Sequence, residues 1–240
     1  FRAAQSSLVA LVDAYPSSEL APQAVFEAAL HCERRGAAHY GEAIVLLDRL
    51  SENYPAAPIV FHAGLKQGDL LRSMNDFASA QLLYENLINR YPEHPLRHVA
   101  ELAQADCLVA LAADDPAELA DAAAVLERLL DLPGLSPALQ AEVAHKLGLV
   151  LQRRGAEAAA EEVFMLMTAR YLLNPDRVLE LGELGQYWLS RSAFELGSSL
   201  EAKGAGEEAR RLYRKMIAFN LPGRSIAADR LSAMEATGAL

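Results

Sequence analysis

Along residues 76–92 apolar side chains return every three or four positions: Phe77, Ala80, Leu83, Tyr84, Leu87, Ile88 and Tyr91 share one helical face. Ser79, Gln81, Glu85, Asn86, Asn89 and Arg90 take the other. Asp76 is placed to cap the start, and Pro92 stops the helix because it pushes the residue before it out of the helical region and donates no hydrogen bond. A helix with one apolar stripe needs neighbours to cover it. The chain supplies them: Tyr15-Pro16 closes a copy over 1–16 and Tyr54-Pro55 one over 40–55. The pattern then loosens, with Leu132-Pro133 ending a fourth helix from Ala117, Tyr171 and Pro175 a fifth from Ala156, and Pro222 a sixth from Gly206.

Partner helices are expected between these, over 19–35, 57–74, 95–113, 137–154 and 177–203. Each has a small residue near its middle: Ala29, Gly68, Ala105, Gly148 and Gly197. Glycine within a helix costs about 0.5–1 kcal/mol relative to alanine, so its recurrence predicts the backbone of a neighbouring helix passing close by. Gly36, Asn75, Ala112, Gly155 and Gly204 follow as the turns. Gly and Asn there suit the left-handed conformation that ends helices.

Small residues paired as Ala29 and Ala43, Gly68 and Ala80, Gly148 and Ala160, Gly197 and Ala209, with Tyr40, Phe77 or Leu119 between and a closing proline, resemble the tetratricopeptide repeat. The resemblance implies an all-α, right-handed α-solenoid of about five helix pairs with a flanking helix at each end. It forms a single domain over 1–240: a second helix at 1–16, repeats at 17–55, 56–92, 93–133, 134–175 and 176–222, and a capping helix at 223–240. Asp114-Asp115-Pro116 stretches the third repeat, Leu172-Leu173-Asn174 is inserted in the fourth, and Glu180 to Trp188 lengthen the last first helix. The Tyr-Pro ends are similar to those of bacterial envelope proteins of the family, the outer-membrane β-barrel assembly lipoprotein and the periplasmic coordinator of the Tol-Pal system. That subgroup favours the periplasm or cell envelope, with the cytoplasm as the alternative.

Composition narrows the function. A net charge of −10 and a pI near 5.1 oppose a nucleic acid or anionic membrane partner, which needs a clustered basic face. No run of eighteen apolar residues spans a membrane. The opening Phe-Arg-Ala-Ala, without Met, reads as the interior of a helix and suggests a fragment of a longer protein. Cys32 and Cys107 fall two repeats apart, too far for a disulfide. Leu8, Val9, Leu11, Val12 and Tyr15 lack a preceding partner helix, so an apolar edge is expected there, covered by further repeats or by end-to-end self-association.

Catalytic signatures are missing: there is no phosphate-binding loop of the Gly-x-x-x-x-Gly-Lys-Ser/Thr form and no Gly-x-Ser-x-Gly elbow. His94 and His98, beside Glu93 and Glu101, have the spacing of zinc ligands, but Pro95 leaves His94 outside the helix, so no metal or cofactor is expected. Gly182, Gly185, Tyr187 and Trp188 have two readings, an extended helix packed on the preceding repeat or an aromatic anchor for a partner. Arg210, Arg211, Arg214 and Lys215 read as a solvated face.

The resemblance places a peptide-binding groove on the first helices. Carried over by repeat position, its lining is Gln23, Phe26, Leu30 and Glu33, then His62, Leu65, Asp69 and Arg72, then Val99, Leu102, Asp106 and Val109. Glu142, His145, Leu149 and Gln152 follow, and last Arg191, Phe194, Ser198 and Glu201. The apolar residues and Asp69 and Asp106 at these places oppose a clamp for a C-terminal carboxylate, which needs Lys, Arg and Asn. The expectation is a non-catalytic scaffold for a protein or peptide, with a regulatory sensor module as the alternative and an enzyme as a remote one.

Overall fold

The computed structural model describes residues 1–173 and 175–237, so Asn174 of the inserted stretch and the last three residues of the expected cap lie outside the described residues. Among the described residues there is no strand. The α-helices are α1 (Arg2–Ala14), α2 (Ala21–Glu33), α3 (Tyr40–Asn53), α4 (Val60–Ser73), α5 (Phe77–Arg90), α6 (Arg97–Leu111) and α7 (Glu118–Leu130). They continue as α8 (Pro137–Arg153), α9 (Glu157–Tyr171), α10 (Pro175–Glu180), α11 (Gly182–Ala202), α12 (Gly206–Ala218) and α13 (Arg224–Thr237). The chain divides after Glu118 into two compact units.

In the first unit each helix packs on the next, α1 on α2 through to α5 on α6. Val12, Val25, Cys32, Leu47, Leu50 and Leu70 form one buried cluster, and Phe61, Tyr84, Leu87, Ile88, Ala100 and Cys107 another. Both cysteines are free and buried. In the second unit α8 packs on α9 and α11, α11 on α12, and α12 on α13.

The helix ends follow local chemistry. Asp76 accepts a hydrogen bond from the Ser79 N–H at 3.2 Å, and Ser136 caps α8 from the Leu139 N–H. Tyr15, Tyr54 and Tyr91, each before a proline, swing out to φ −135°, −131° and −127° while their N–H groups still close the last turn. Asn75, Gly155 and Gly204 adopt φ of 61°, 74° and 75°, and the next N–H reaches back to Leu71, Leu151 and Leu200, all at 2.9 Å. This six-to-one bond satisfies a carbonyl that the helix end leaves open. Ala112 departs from the expectation: it stays at φ −62°, because an alanine disfavours the left-handed region, and the turn runs on to Asp115. The expected long helix over 177–203 is also broken. Gly182 takes φ 60°, which separates the short α10 from α11.

The mid-helix glycines correct a third expectation. A β-carbon at Gly68 would stand 2.4 Å from the Tyr84 ring, at Gly148 2.2 Å from the Phe164 ring, and at Gly197 2.4 Å from the Tyr213 hydroxyl. Buried aromatic side chains, not helix backbones, fill the gaps. A ring buries far more apolar area than a closer backbone contact would, and glycine leaves room for it. Gly185 alone among these meets a backbone, since a β-carbon there would lie 2.9 Å from the Ala138 Cα.

Candidate functional site

In the first unit α2, α4 and α6 share a wall tied together by ion pairs. Lys66 of α4 reaches Glu33 of α2 at 3.1 Å, and Arg72 of α4 reaches Asp106 of α6 at 3.1 Å and Asp69 at 3.9 Å. Gln23 is exposed and donates to Glu27, while Phe26, Leu30 and Leu65 are half-buried. His62 and Val99 are exposed; Val109 is half-buried. Leu102 is only 8 % exposed and contributes to the core of the wall rather than to its surface.

Behind this wall lies a polar contact that sequence reasoning missed. Tyr84, on the second helix of its pair, lies across Gly68 and donates its hydroxyl to Asp69 at 2.9 Å. Burial, reinforced by the adjacent carboxylate, pushes the phenol well above its usual range, so it remains the donor. Burial likewise raises the Cys107 thiol to about 11, leaving it unreactive. Arg72 is the hub between Asp69 and Asp106. Arg72→Met removes the cation that Asp69 and Asp106 share and is expected to lower the unfolding free energy by about 1–2 kcal/mol, read from urea titration.

The second unit repeats the device. Tyr213 on α12 crosses Gly197 and donates to Glu201 on α11, and Arg230 on α13 donates to the Tyr213 oxygen at 3.0 Å, to Ser198 at 2.9 Å and to Glu201 at 3.3 Å. Burial, then the bond to Glu201, raises Tyr213 to about 12. Phe194 is half-buried, with the Arg230 guanidinium 5.9 Å from its ring. The spacing that signals the motif is a mid-helix glycine followed sixteen residues later by an aromatic: Gly68 and Tyr84, Gly148 and Phe164, Gly197 and Tyr213.

The remaining expected groove residues of this unit are mixed. Glu142 pairs with Lys146 at 2.9 Å, and Leu149 and Gln152 are half-buried. His145 is 1 % exposed, with its Nδ1 3.4 Å from the Ser192 hydroxyl and its ring 5.4 Å from Trp188. The His145 Nε2 and the Trp188 Nε1 are both buried without a hydrogen-bond partner. Trp188 is half-buried under Lys146, while Tyr187 is exposed and accepts a hydrogen bond from Arg191 at 3.2 Å.

His94 stacks on Phe61 with ring centroids 3.6 Å apart, and its Nδ1 accepts the Leu96 N–H at 3.1 Å. It sits in the turn before α6, outside the helix that carries His98. Among the described residues no cluster of three or more His, Cys, Asp or Glu is placed to hold a metal. Arg210, Arg211 and Arg214 pair with Glu207, Glu208 and Glu235, which neutralises the basic face. No described helix is long and apolar enough to cross a membrane.

Residues 62–94 match the tetratricopeptide repeat family. A search of curated proteins gives no match. Among solved structures the chain is similar to a MamA RS-1 ArsTM double mutant, at 16 % identity and TM-score 0.58 over 83 % of this chain and 94 % of that one. It is also similar to a Podosopora anserina protein of nearly identical TPR-like repeats, described as a putative kinesin light chain, at 18 % identity and TM-score 0.55 over 82 % and 94 %. A second crystal structure of that protein gives 17 % identity and TM-score 0.55 over 82 % and 93 %. At such identities the likeness speaks to fold. Residues 62–94 thus match a tetratricopeptide repeat, and they lie in an array of helix pairs whose fold is similar to that of these solved structures.

Proposed function

We propose that the chain is a non-catalytic scaffold that binds a protein or peptide segment along the α2–α4–α6 wall of its first unit, in a bacterial envelope assembly. The observation that carries the reading is the division of labour on that wall. Its charged side chains are engaged with one another, through Lys66–Glu33 and Asp69–Arg72–Asp106, while Phe26, Leu30 and Leu65 are half-buried apolar side chains and Gln23, His62 and Val99 are exposed. Such a surface favours a segment with apolar anchors over one recognised by charge. The Tyr-Pro helix ends support the envelope setting.

The test is capture from a bacterial envelope extract by the chain and by a variant carrying Gln23→Ala, His62→Ala and Val99→Asp. All three positions are exposed, so circular dichroism and Tm are expected to be unchanged. Loss of one defined partner from the variant is the expected result. Equal capture by both proteins would move the interface off this wall.

A further inference from the structure

Helix α9 is apolar on two sides. Ala160, Phe164, Met167, Thr168 and Tyr171 are buried where it packs on α8 and α11. On the opposite side Ala158, Met165, Leu166 and Ala169 are exposed, Met165 by 49 % and Leu166 by 64 %. Spacings of three and four residues join them in one stripe, which ends at exposed Leu173 just past the helix. The stripe is not the open end of an array. With α8 and α11, α9 already has both neighbours that the repeat register provides, as α5 has α4 and α6.

The equivalent helices treat this side differently. Aligned on Ala43, Ala80 and Ala209 against Ala160, α3, α5 and α12 carry Asp48-Arg49, Glu85-Asn86 and Arg214-Lys215 where α9 carries Met165-Leu166. Charges at those places are held within the chain: Arg49 pairs with Asp13 at 2.6 Å, and Arg214 with Glu235 at 3.2 Å. α3 and α5 do expose one large apolar residue each, Val45 and Leu82, and in that place α9 has Glu162. The sister helices put their polar groups at the centre of the outer face, and α9 puts its apolar ones there.

Charge decides what fits on it. Glu162 and Arg170 flank the stripe, each four residues from Leu166. Along the helix they are about 12 Å apart, too far to pair with each other. Three and four residues from Glu162 stand Ala158, Ala159, Met165 and Leu166, so its own helix offers it no cation. Among the described residues Glu162 is in no ion pair, and the Arg170 guanidinium lies over the Tyr171 ring, 5.6 Å from its centroid. A two-fold axis through Leu166 would pair α9 antiparallel with another α9. It would set Glu162 of each copy against Arg170 of the other, and small Ala159 against Leu173. A parallel pair would set Glu162 on Glu162 and Arg170 on Arg170. An anionic lipid surface fits poorly, because exposed Arg154, Arg170 and Arg177 are matched by exposed Glu157, Glu162 and Glu180.

We propose that the outer face of α9 is a self-association surface, on which a second copy of this chain docks its own α9 antiparallel about Leu166. The contact is side by side, distinct from end-to-end association through α1, and it does not rest on the α2–α4–α6 wall.

One helix face from each copy is less than the roughly 2,000 Å² or more that obligate dimers bury, so a weak dimer is expected, with Kd about 10–100 µM. Sedimentation equilibrium of the whole chain, up to about 300 µM, measures it. Leu166→Glu is expected to raise Kd at least about tenfold. Glu162→Arg and Arg170→Glu should each do the same, because like charges then meet twice across the axis. An equimolar mixture of these two variants should associate again, since every pair across the axis is once more of opposite sign. All three positions are exposed, so circular dichroism is expected to be unchanged; Leu166→Ser is the second variant should the glutamate disturb folding. A chain that stays monomeric, a dimer indifferent to these substitutions, or a mixture that fails to recover would overturn the proposal. Leu11→Lys on α1 should leave the dimer intact; its loss there would place the contact at α1 and overturn the proposal as well.

Discussion

Gly148→Ala is expected to cost about 2 kcal/mol of unfolding free energy, although it adds one methyl group at a position where helix propensity favours alanine by about 0.5–1 kcal/mol. The added β-carbon would stand 2.2 Å from Cε1 and 2.3 Å from Cζ of Phe164, a ring that is 1 % exposed and has nowhere to retreat. Gly41→Ala is the control. Nothing lies within 4 Å of a β-carbon there, so that change is expected to be neutral or stabilising. Phe164→Leu is destabilising by itself but should restore part of the loss when combined with Gly148→Ala, giving a coupling of at least about 1 kcal/mol in a double-mutant cycle. Urea denaturation of the four proteins measures it. If Gly148→Ala behaves like Gly41→Ala, the ring-over-glycine account is wrong.

The second large effect is a pH dependence centred on His145. Burial, with Arg191 and Lys146 adding repulsion, lowers its pKa to about 4, against about 6.5 for the unfolded chain. Between those values the unfolded chain binds a proton that the folded one refuses, so stability falls as pH falls. The loss begins near pH 6.5 and approaches its full extent, about 3 kcal/mol, near pH 4. His145→Phe keeps an aromatic ring beside Phe164 and Trp188 and removes the buried Nε2 that has no partner. It should change stability little at neutral pH and exceed the natural chain by about 2–3 kcal/mol at about pH 4.5. Carboxylates titrate alike in both proteins, so the difference between their urea curves isolates this residue. Parallel pH profiles would rule the mechanism out.

Both predictions turn on residues whose type is legible in the sequence and whose surroundings are not. The period of apolar residues around Phe77 to Tyr91, and the proline after each tyrosine, mark helices because three-and-four spacing and the loss of a donor are local properties. Gly148 announces a close approach for the same reason. What approaches is a tertiary fact: the ring arrives from a residue sixteen positions away, on the next helix. Repeat position puts His145 and Leu102 on the groove, yet they are 1 % and 8 % exposed. Position in a repeat fixes the direction in which a side chain leaves its helix, but the depth to which it sinks depends on its neighbours' sizes. At His145 those neighbours are Phe164, Trp188 and Ser192. Gly182 is visible as an irregularity, but nothing local says that it takes a left-handed conformation and severs α10 from α11.

The Tyr84 hydroxyl gives the wall a selectivity that its outline does not convey. Asp69 looks available from the front, but it already holds a hydrogen bond from behind, from a ring anchored on α5. Arg72 also stands 3.9 Å from the same carboxylate, so the charge of Asp69 is met from within the wall. A lysine or arginine on an incoming segment would have to compete with Arg72, which also holds Asp106, before its own charge counted. Asp69 thus steadies the wall without choosing the segment by charge, and the choice falls to the apolar side chains beside it.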